Sequence, residues 1–249
     1  MGSISWDAER YDRQPLPHEQ WGVGVINRAQ LRAGDSFVDA GCGTGRDALL
    51  AMNRLQALAA AQDVLPGKAT LLDADDVMIL SARNRFSDWP TPLAPAISQA
   101  DLMQPWPVDE TADVIISVAA LHWISNHATV FSQGAAISAP HARLHVDCGG
   151  AGNIAGLLEA AGRVGLPLPT WNFANVDVTI RALRDSGWAP REVWLQPDPL
   201  VLPDDATFEE FLSTVMFHQA SPAQITTLIG LCGEPVVDYV RLNIDAVRE

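Results

Sequence analysis

Apolar positions in this chain fall into two alternating patterns, short continuous runs and runs with helical spacing. Phe37 and Val38 close a short run, Gly41, Gly43 and Gly45 follow, and Ala48, Leu49, Met52, Leu55 and Ala59 recur at helical intervals. This predicts a strand, a tight turn and a helix. Thr44 and Asp47 have the spacing of a capping box at the helix start. Ala69 to Leu72 then predict a strand ending at Asp73, followed by a helix through Val77, Leu80 and Ala82. Val114 to Val118, preceded by Asp113, form a branched run that predicts a buried strand.

The second half is less uniform. "HARLHVDCGG" predicts a fifth strand with Leu144 and Val146 facing inward, and a helix ending near Gly187 leads to a strand from Arg191 to Gln196. Phe208, Phe211, Leu212, Val215 and Met216 mark an amphipathic helix, and Ala223 to Leu231 a second. The tail alternates Val240, Leu242, Ile244 and Ala246 with Arg241, Asn243 and Asp245, a period-two strand. Near the start, Trp6, Tyr11, Trp21 and Val25 lie at roughly helical intervals, interrupted by Pro15 and Pro17. Strands alternating with helices imply an α/β fold, whose ligands sit at the carboxyl ends of the strands.

The glycine turn is at such an end. It lacks the lysine of a phosphate loop, and its G-x-G-x-G spacing is not the dinucleotide pattern. Asp39, two residues ahead of Gly41, would repel a pyrophosphate and attract a ligand carrying an ammonium group and a cationic sulfur. Asp73, at the end of the second strand, can accept hydrogen bonds from paired ribose hydroxyls. Asp75 and Asp76 are read instead as acids at a helix N-terminus.

"VDAGCGTG" resembles motif I of the class I S-adenosylmethionine-dependent methyltransferases. The resemblance continues through "KATLLDADD", "ISQADLMQPWP" and "ALHWI", the last similar to the trans-aconitate-type small-molecule branch. It implies a Rossmann-like seven-stranded sheet ordered 3-2-1-4-5-7-6, its last strand antiparallel, with helices on both faces and a small helical cap. The implied organisation is a helical lid (1–30), a cofactor-binding core (31–205), a cap insertion (206–233) and a closing strand (234–249). The implied cofactor is S-adenosyl-L-methionine, with S-adenosyl-L-homocysteine as product. Its contacts would come from Tyr11, Asp39, Ala40, Gly41, Cys42, Gly43, Gly45, Asp73, Ala74, Met78, Asp101, Leu102 and Ser117. Asp101 would meet the adenine amino group and the Leu102 amide the ring; otherwise Asp101 is a turn residue. The segment Ser117 to Ala120 lacks the prolines usual where base nitrogens are methylated. Val118 and "APHARL" also depart from the branch's usual asparagine and proline-glycine-glycine turn.

His122 and Trp123 are the catalytic candidates, His122 as base or as a positioning group with His127 behind it, and Trp123 as a pocket wall. An ionised carboxylate acceptor needs no base, whereas a hydroxyl does. An acid would need a clamp, for which Arg181, Arg184, Gln14 and Gln20 are available. His141, His145 and Asp147 alternate along one strand and splay too far apart for a metal site, so none is expected. The expected reaction is methylation of a small-molecule oxygen. Methylation of carbon or nitrogen, or cyclase or lyase chemistry on the same fold, is the alternative.

Charge narrows the partners. The chain has 30 acidic against 16 basic residues, a net charge of −14, which disfavours nucleic acid and anionic membranes. Three cysteines at scattered positions (Cys42, Cys148, Cys232) fit reduced thiols, and no hydrophobic signal core opens the chain. A cytoplasmic monomer or homodimer acting on a small molecule is the expectation.

Overall fold

A computed structural model describes residues 18–90, 93–168, 170–217 and 219–249. In chain order these form α1 (His18–Arg28), β1 (Phe37–Ala40), α2 (Arg46–Gln62), β2 (Ala69–Asp73), α3 (Asp76–Arg85), β3 (Ala96–Gln99) and β4 (Ala112–Val118). Then come α4 (His127–Ala136), β5 (Ser138–Gly149), α5 (Ala155–Val164), α6 (Val176–Asp185), β6 (Trp188–Pro197) and β7 (Leu200–Val201). The chain ends with α7 (Asp205–Phe211), a π-helical turn (Leu212–Met216), α8 (Pro222–Cys232), β8 (Val236–Val237) and β9 (Val240–Arg248).

Seven strands form one sheet in the order β3-β2-β1-β4-β5-β9-β6. With the two-residue strands β7 and β8 paired apart, β9 is the seventh strand, antiparallel to both neighbours, as expected. Side chains alternate between two cores. Phe37, Leu71, Val114 and Ile116 face α1, α2, α5 and the helices after β7, while Val38, Leu72, Ile115, Leu144 and Ile244 face α4 and α6. The segment between β7 and β8 contributes Phe208, Phe211, Leu212, Ile225 and Leu228 to the first core. Among the described residues no helix is long and apolar enough to cross a membrane.

Four local expectations change. The Thr44–Asp47 capping box does not form: α2 starts from Gly45 in the left-handed region, and the Thr44 carbonyl accepts from Arg85 Nε at 2.7 Å. On α3 the buried residues are Met78, Ile79 and Ala82, while Val77 and Leu80 are exposed, because this helix covers the sheet near its edge strand β3. The sixth strand starts at Trp188, whose indole is buried and donates to the Phe131 carbonyl at 2.9 Å. On β9 the polar residues Arg241 and Asn243 are nearly as buried as Leu242 between them; Trp21 of α1 covers the Arg241 guanidinium and Asp147 pairs with it. Tyr11, Trp6 and Gln14 lie outside the described residues.

Candidate functional site

The glycine turn is held by its neighbours' backbones. Gly41 N and Cys42 N both donate to the Leu72 carbonyl, at 2.7 and 2.9 Å. Gly41 has φ 84°, and a Cβ there would stand 2.3 Å from that of Ala120, so no other residue fits beneath the tip of β4. Gly43 is the opposite case. A Cβ on it would meet nothing within 4 Å, leaving the loop open to a ligand on that side.

Acids surround the turn. Asp73 accepts from Gly43 N at 2.8 Å and from Asp75 N at 2.9 Å, one bond to each carboxylate oxygen, so it both holds the loop and keeps lone pairs for another donor. Burial raises its pKa against the pull of those amides. Asp39 is almost fully buried, and its Oδ2 has no hydrogen-bond partner among the described residues. Burial, then the charges of Asp47 and Asp73, hold its pKa well above the carboxylate range. Asp47, in the first turn of α2, is raised to about 6, chiefly by burial. Helix α1 packs closely over it: a Cβ on Gly22 would lie 1.9 Å from Asp47 Oδ1. An orphaned carboxylate oxygen among like charges calls for a cation.

The remaining cofactor candidates divide by face. Asp101 is exposed at the end of β3, its Oδ1 accepting from Met103 N at 2.9 Å in a turn, and Leu102 is buried close to Gly41. Ala74 is exposed at the end of β2, with its carbonyl accepting from Gln99 Nε2 at 2.9 Å. Ala40 and Ser117 are buried in the second core, where Ser117 Oγ donates to the Ala40 carbonyl at 2.6 Å, tying β4 to β1. Met78 is buried in the first turns of α3, with Asp75 as N-cap accepting from its amide and that of Val77. Cys42 is buried, and burial pushes its thiol far up.

Beside the turn lies a cleft of about 500 Å³, part of it open to solvent, that starts at Ala119. Its walls are aromatic: Trp21, His122, Trp123, Trp171, Phe173 and Tyr239, with Val215 and Met216 of the π-helical turn across them. A strap from Trp171 to Phe173 is fixed by Asn172, which donates from its backbone to the His122 carbonyl at 2.8 Å and from Nδ2 to the Ile124 and Ser125 carbonyls. Trp171 stacks on Phe173 at 5.6 Å and meets Trp123 edge-on at 5.5 Å. His122 Nδ1 accepts from Gly149 N at 3.3 Å, which puts its ring proton on Nε2. Trp123 is 39% exposed, consistent with a wall rather than a core residue. His127 faces away, buried in the second core with Nε2 bonded to the Leu121 carbonyl, and burial lowers its pKa.

The cation of this cleft is Arg241, which sequence reading missed. Its Nε and Nη2 pair with Asp147 Oδ1 at 2.8 and 2.5 Å, and its guanidinium lies 3.6 Å from the Trp21 ring centroid. An arginine in a period-two strand reads as a solvated residue; the only hint was a second polar stripe on a strand placed deep in the sheet. The clamp candidates Arg181, Arg184 and Gln20 are exposed and line no part of the cleft, and Gln14 lies outside the described residues. His145 is bonded to Asp245 at 2.8 Å and Asp147 to Arg241, so both residues of the histidine strand are paired with β9.

Comparison with known proteins adds the family context. Residues 37–141 match the family model described as a methyltransferase domain. The chain is 31% identical over 128 residues, 51% of this chain and 43% of the relative, to a trans-aconitate 2-methyltransferase of Acidovorax sp. (strain JS42). It is 30% identical over a match of the same extent to that of Acidovorax ebreus (strain TPSY). The match therefore spans less than half of the curated relatives' length. In fold, the chain is similar to the geranyl diphosphate C-methyltransferase of Streptomyces coelicolor A3(2), solved with S-adenosyl-L-homocysteine, at TM-score 0.61 and 13% identity over 93% of this chain and 80% of that one. It is equally similar to the [4+2]-cyclase SpnF, at TM-score 0.61 and 15% identity over 92% and 81%. The matched segment contains the glycine turn and its acids, while Trp171, Phe173 and Arg241 lie beyond it. The residues present would fit a cationic nucleoside, with the orphaned Asp39 oxygen toward a cation, the open Gly43 allowing close approach and Asp73 lone pairs toward ribose hydroxyls.

Proposed function

We propose that this protein is an S-adenosyl-L-methionine-dependent methyltransferase acting on an oxygen of a small-molecule acceptor, with a carboxylate as the acceptor group. One observation carries the reading: the buried Asp39 oxygen, unpartnered among the described residues and flanked by Asp47 and Asp73, at the strand end that leads into the glycine turn. The cofactor supplies a methyl group on a sulfonium, a good leaving group. Asp39, the loop amides and Asp73 would hold it, and the aromatic walls would exclude water and align the acceptor.

The state of His122 favours a carboxylate. With Nδ1 accepting from Gly149, the ring proton is on Nε2 and the ring has no lone pair to take a proton from an acceptor. An ionised carboxylate needs no such base. Its oxygen lone pair forms the new C–O bond as the S–CH3 bond breaks, the bonding pair stays on sulfur, and no proton moves. His122 then positions the acceptor.

The test is calorimetric titration of the full chain with S-adenosyl-L-homocysteine, after stripping any ligand carried through purification. Micromolar binding is expected. A folded protein that does not bind it overturns the reading. Incubation with S-adenosyl-L-methionine and a panel of acids, read by mass, then separates addition of a methyl group from rearrangement without mass change.

A further inference from the structure

The cleft beside the glycine turn has a donor set and a shape that the trans-aconitate relatives' name does not explain. Among the described residues lining it, Arg241 is the single arginine or lysine. Half of its guanidinium already faces Asp147, a carboxylate that is itself buried. The cleft therefore offers little net positive charge, and bringing three carboxylates into it would leave at least two without a cationic partner. What remains for a ligand is one edge of one guanidinium. Arg241 Nη1 takes part in no hydrogen bond among the described residues.

Two neutral polar groups of the lining add donors. Trp171 Nε1 is buried and has no partner among the described residues. Asn153 Oδ1 already accepts from Val240 N at 2.9 Å, leaving its amide NH2 as the available end. Around these few donors stand flat rings, with Trp171 and Phe173 stacked at an interplanar angle of 25° and Trp123 edge-on to them. Flat apolar walls with one anion-binding corner complement a ligand that is planar and apolar at one end and singly charged at the other.

We propose that the acceptor is a planar aromatic monocarboxylate, its ring against the Trp171–Phe173 strap and its carboxylate on Arg241 Nη1. This rests on the methyltransferase reading. One carboxylate oxygen accepts from Arg241 and the other is the nucleophile, so the clamp that selects the acid also orients it.

The experiment uses the full chain saturated with S-adenosyl-L-homocysteine and follows tryptophan fluorescence on titration with trans-cinnamate, indole-3-acetate and trans-aconitate. At least one aromatic acid is expected to bind about tenfold or more tighter than trans-aconitate. Trp171→Leu, in a surface strap, should weaken that acid by about tenfold while leaving S-adenosyl-L-homocysteine affinity unchanged. Arg241→Met should do the same, and because it strands Asp147, the double variant Arg241→Met/Asp147→Asn serves as the folded control. Tighter binding of trans-aconitate, or no aromatic acid binding to a chain that does bind S-adenosyl-L-homocysteine, overturns this inference and leaves the methyltransferase reading standing. Failure of S-adenosyl-L-homocysteine itself to bind a folded chain overturns both.

Discussion

The two sides of the site are built in different ways. The proposed cofactor side is backbone: Gly41, Gly43 and Gly45 fall within five residues, and the turn is held by hydrogen bonds from the Gly41 and Cys42 amides to the Leu72 carbonyl and from the Gly43 amide to Asp73. The proposed acceptor side is side chains, gathered from Trp21, His122, Asn153, Trp171, Met216 and Arg241, which are separated by most of the chain. A backbone site requires specific residues at specific spacings. A side-chain site requires only that some chain of suitable shape arrive, so substitutions there should change the ligand before they change the fold.

Gly41→Val is the harshest test of that contrast. The new Cβ would stand 2.3 Å from that of Ala120 at φ 84°. Overpacking and left-handed strain together should cost about 3 kcal/mol or more. A large fall in melting temperature with loss of S-adenosyl-L-homocysteine binding is expected. Near-wild-type melting would show that the turn can relax and that the backbone argument is wrong. Asp73→Asn is milder. An amide nitrogen cannot accept from Gly43 N or Asp75 N, so one of those bonds is lost, at about 1–3 kcal/mol. Calorimetry should show cofactor-product affinity reduced by about tenfold or more, with any change in acceptor affinity smaller.

Legibility in the sequence followed the same division. The glycine turn could be read from its fixed spacing and the closing strand from its period-two alternation, whereas the strand order and the antiparallel sense of that strand came from the family resemblance. The α3 face was misjudged because Val77, Met78, Ile79 and Leu80 are consecutive and apolar or nearly so, and only the position of the helix near the sheet edge decides which two are covered. Arg241 was missed because its meaning comes from Asp147 and Trp21, which are 94 and 220 residues away in sequence and which no pattern on β9 indicates. Trp171 and Phe173 lie in a segment without regular structure, where periodicity carries no information, and Asn172 that fixes them looks like an ordinary loop residue.

Asp47 sharpens the electrostatic half of the comparison. Its pKa is raised to about 6 in the folded chain, so the folded state binds its proton more tightly than the unfolded state does. The stabilisation is complete below the unfolded carboxylate value of about 4 and is lost as pH rises through about 6. Asp47→Asn should therefore raise the stability of the ligand-free chain at pH 8 by about 1–2 kcal/mol, the two-unit shift reduced for the side chain's partial exposure. It should also flatten the pH dependence of melting between pH 4 and about 6. An unchanged slope would show that Asp47 is paired where the fold leaves it exposed to its neighbours' charge.

The smallest expected effect falls on His122, and it bears most directly on the chemistry. If Nε2–H donates to the acceptor while Nδ1 accepts from Gly149, the side chain never exchanges a proton with the acceptor. His122→Gln keeps a donor, and its turnover should fall by less than about tenfold. The pH–rate profile of the wild type should then be flat between about pH 6.5 and 9, because the acceptor carboxylate is already ionised and no base must lose a proton. A limb rising near the imidazole range in the wild type, absent from His122→Gln together with a much larger loss of turnover, would make His122 the base. It would move the acceptor atom to a hydroxyl, and it would also require the Gly149 bond to break in the working enzyme.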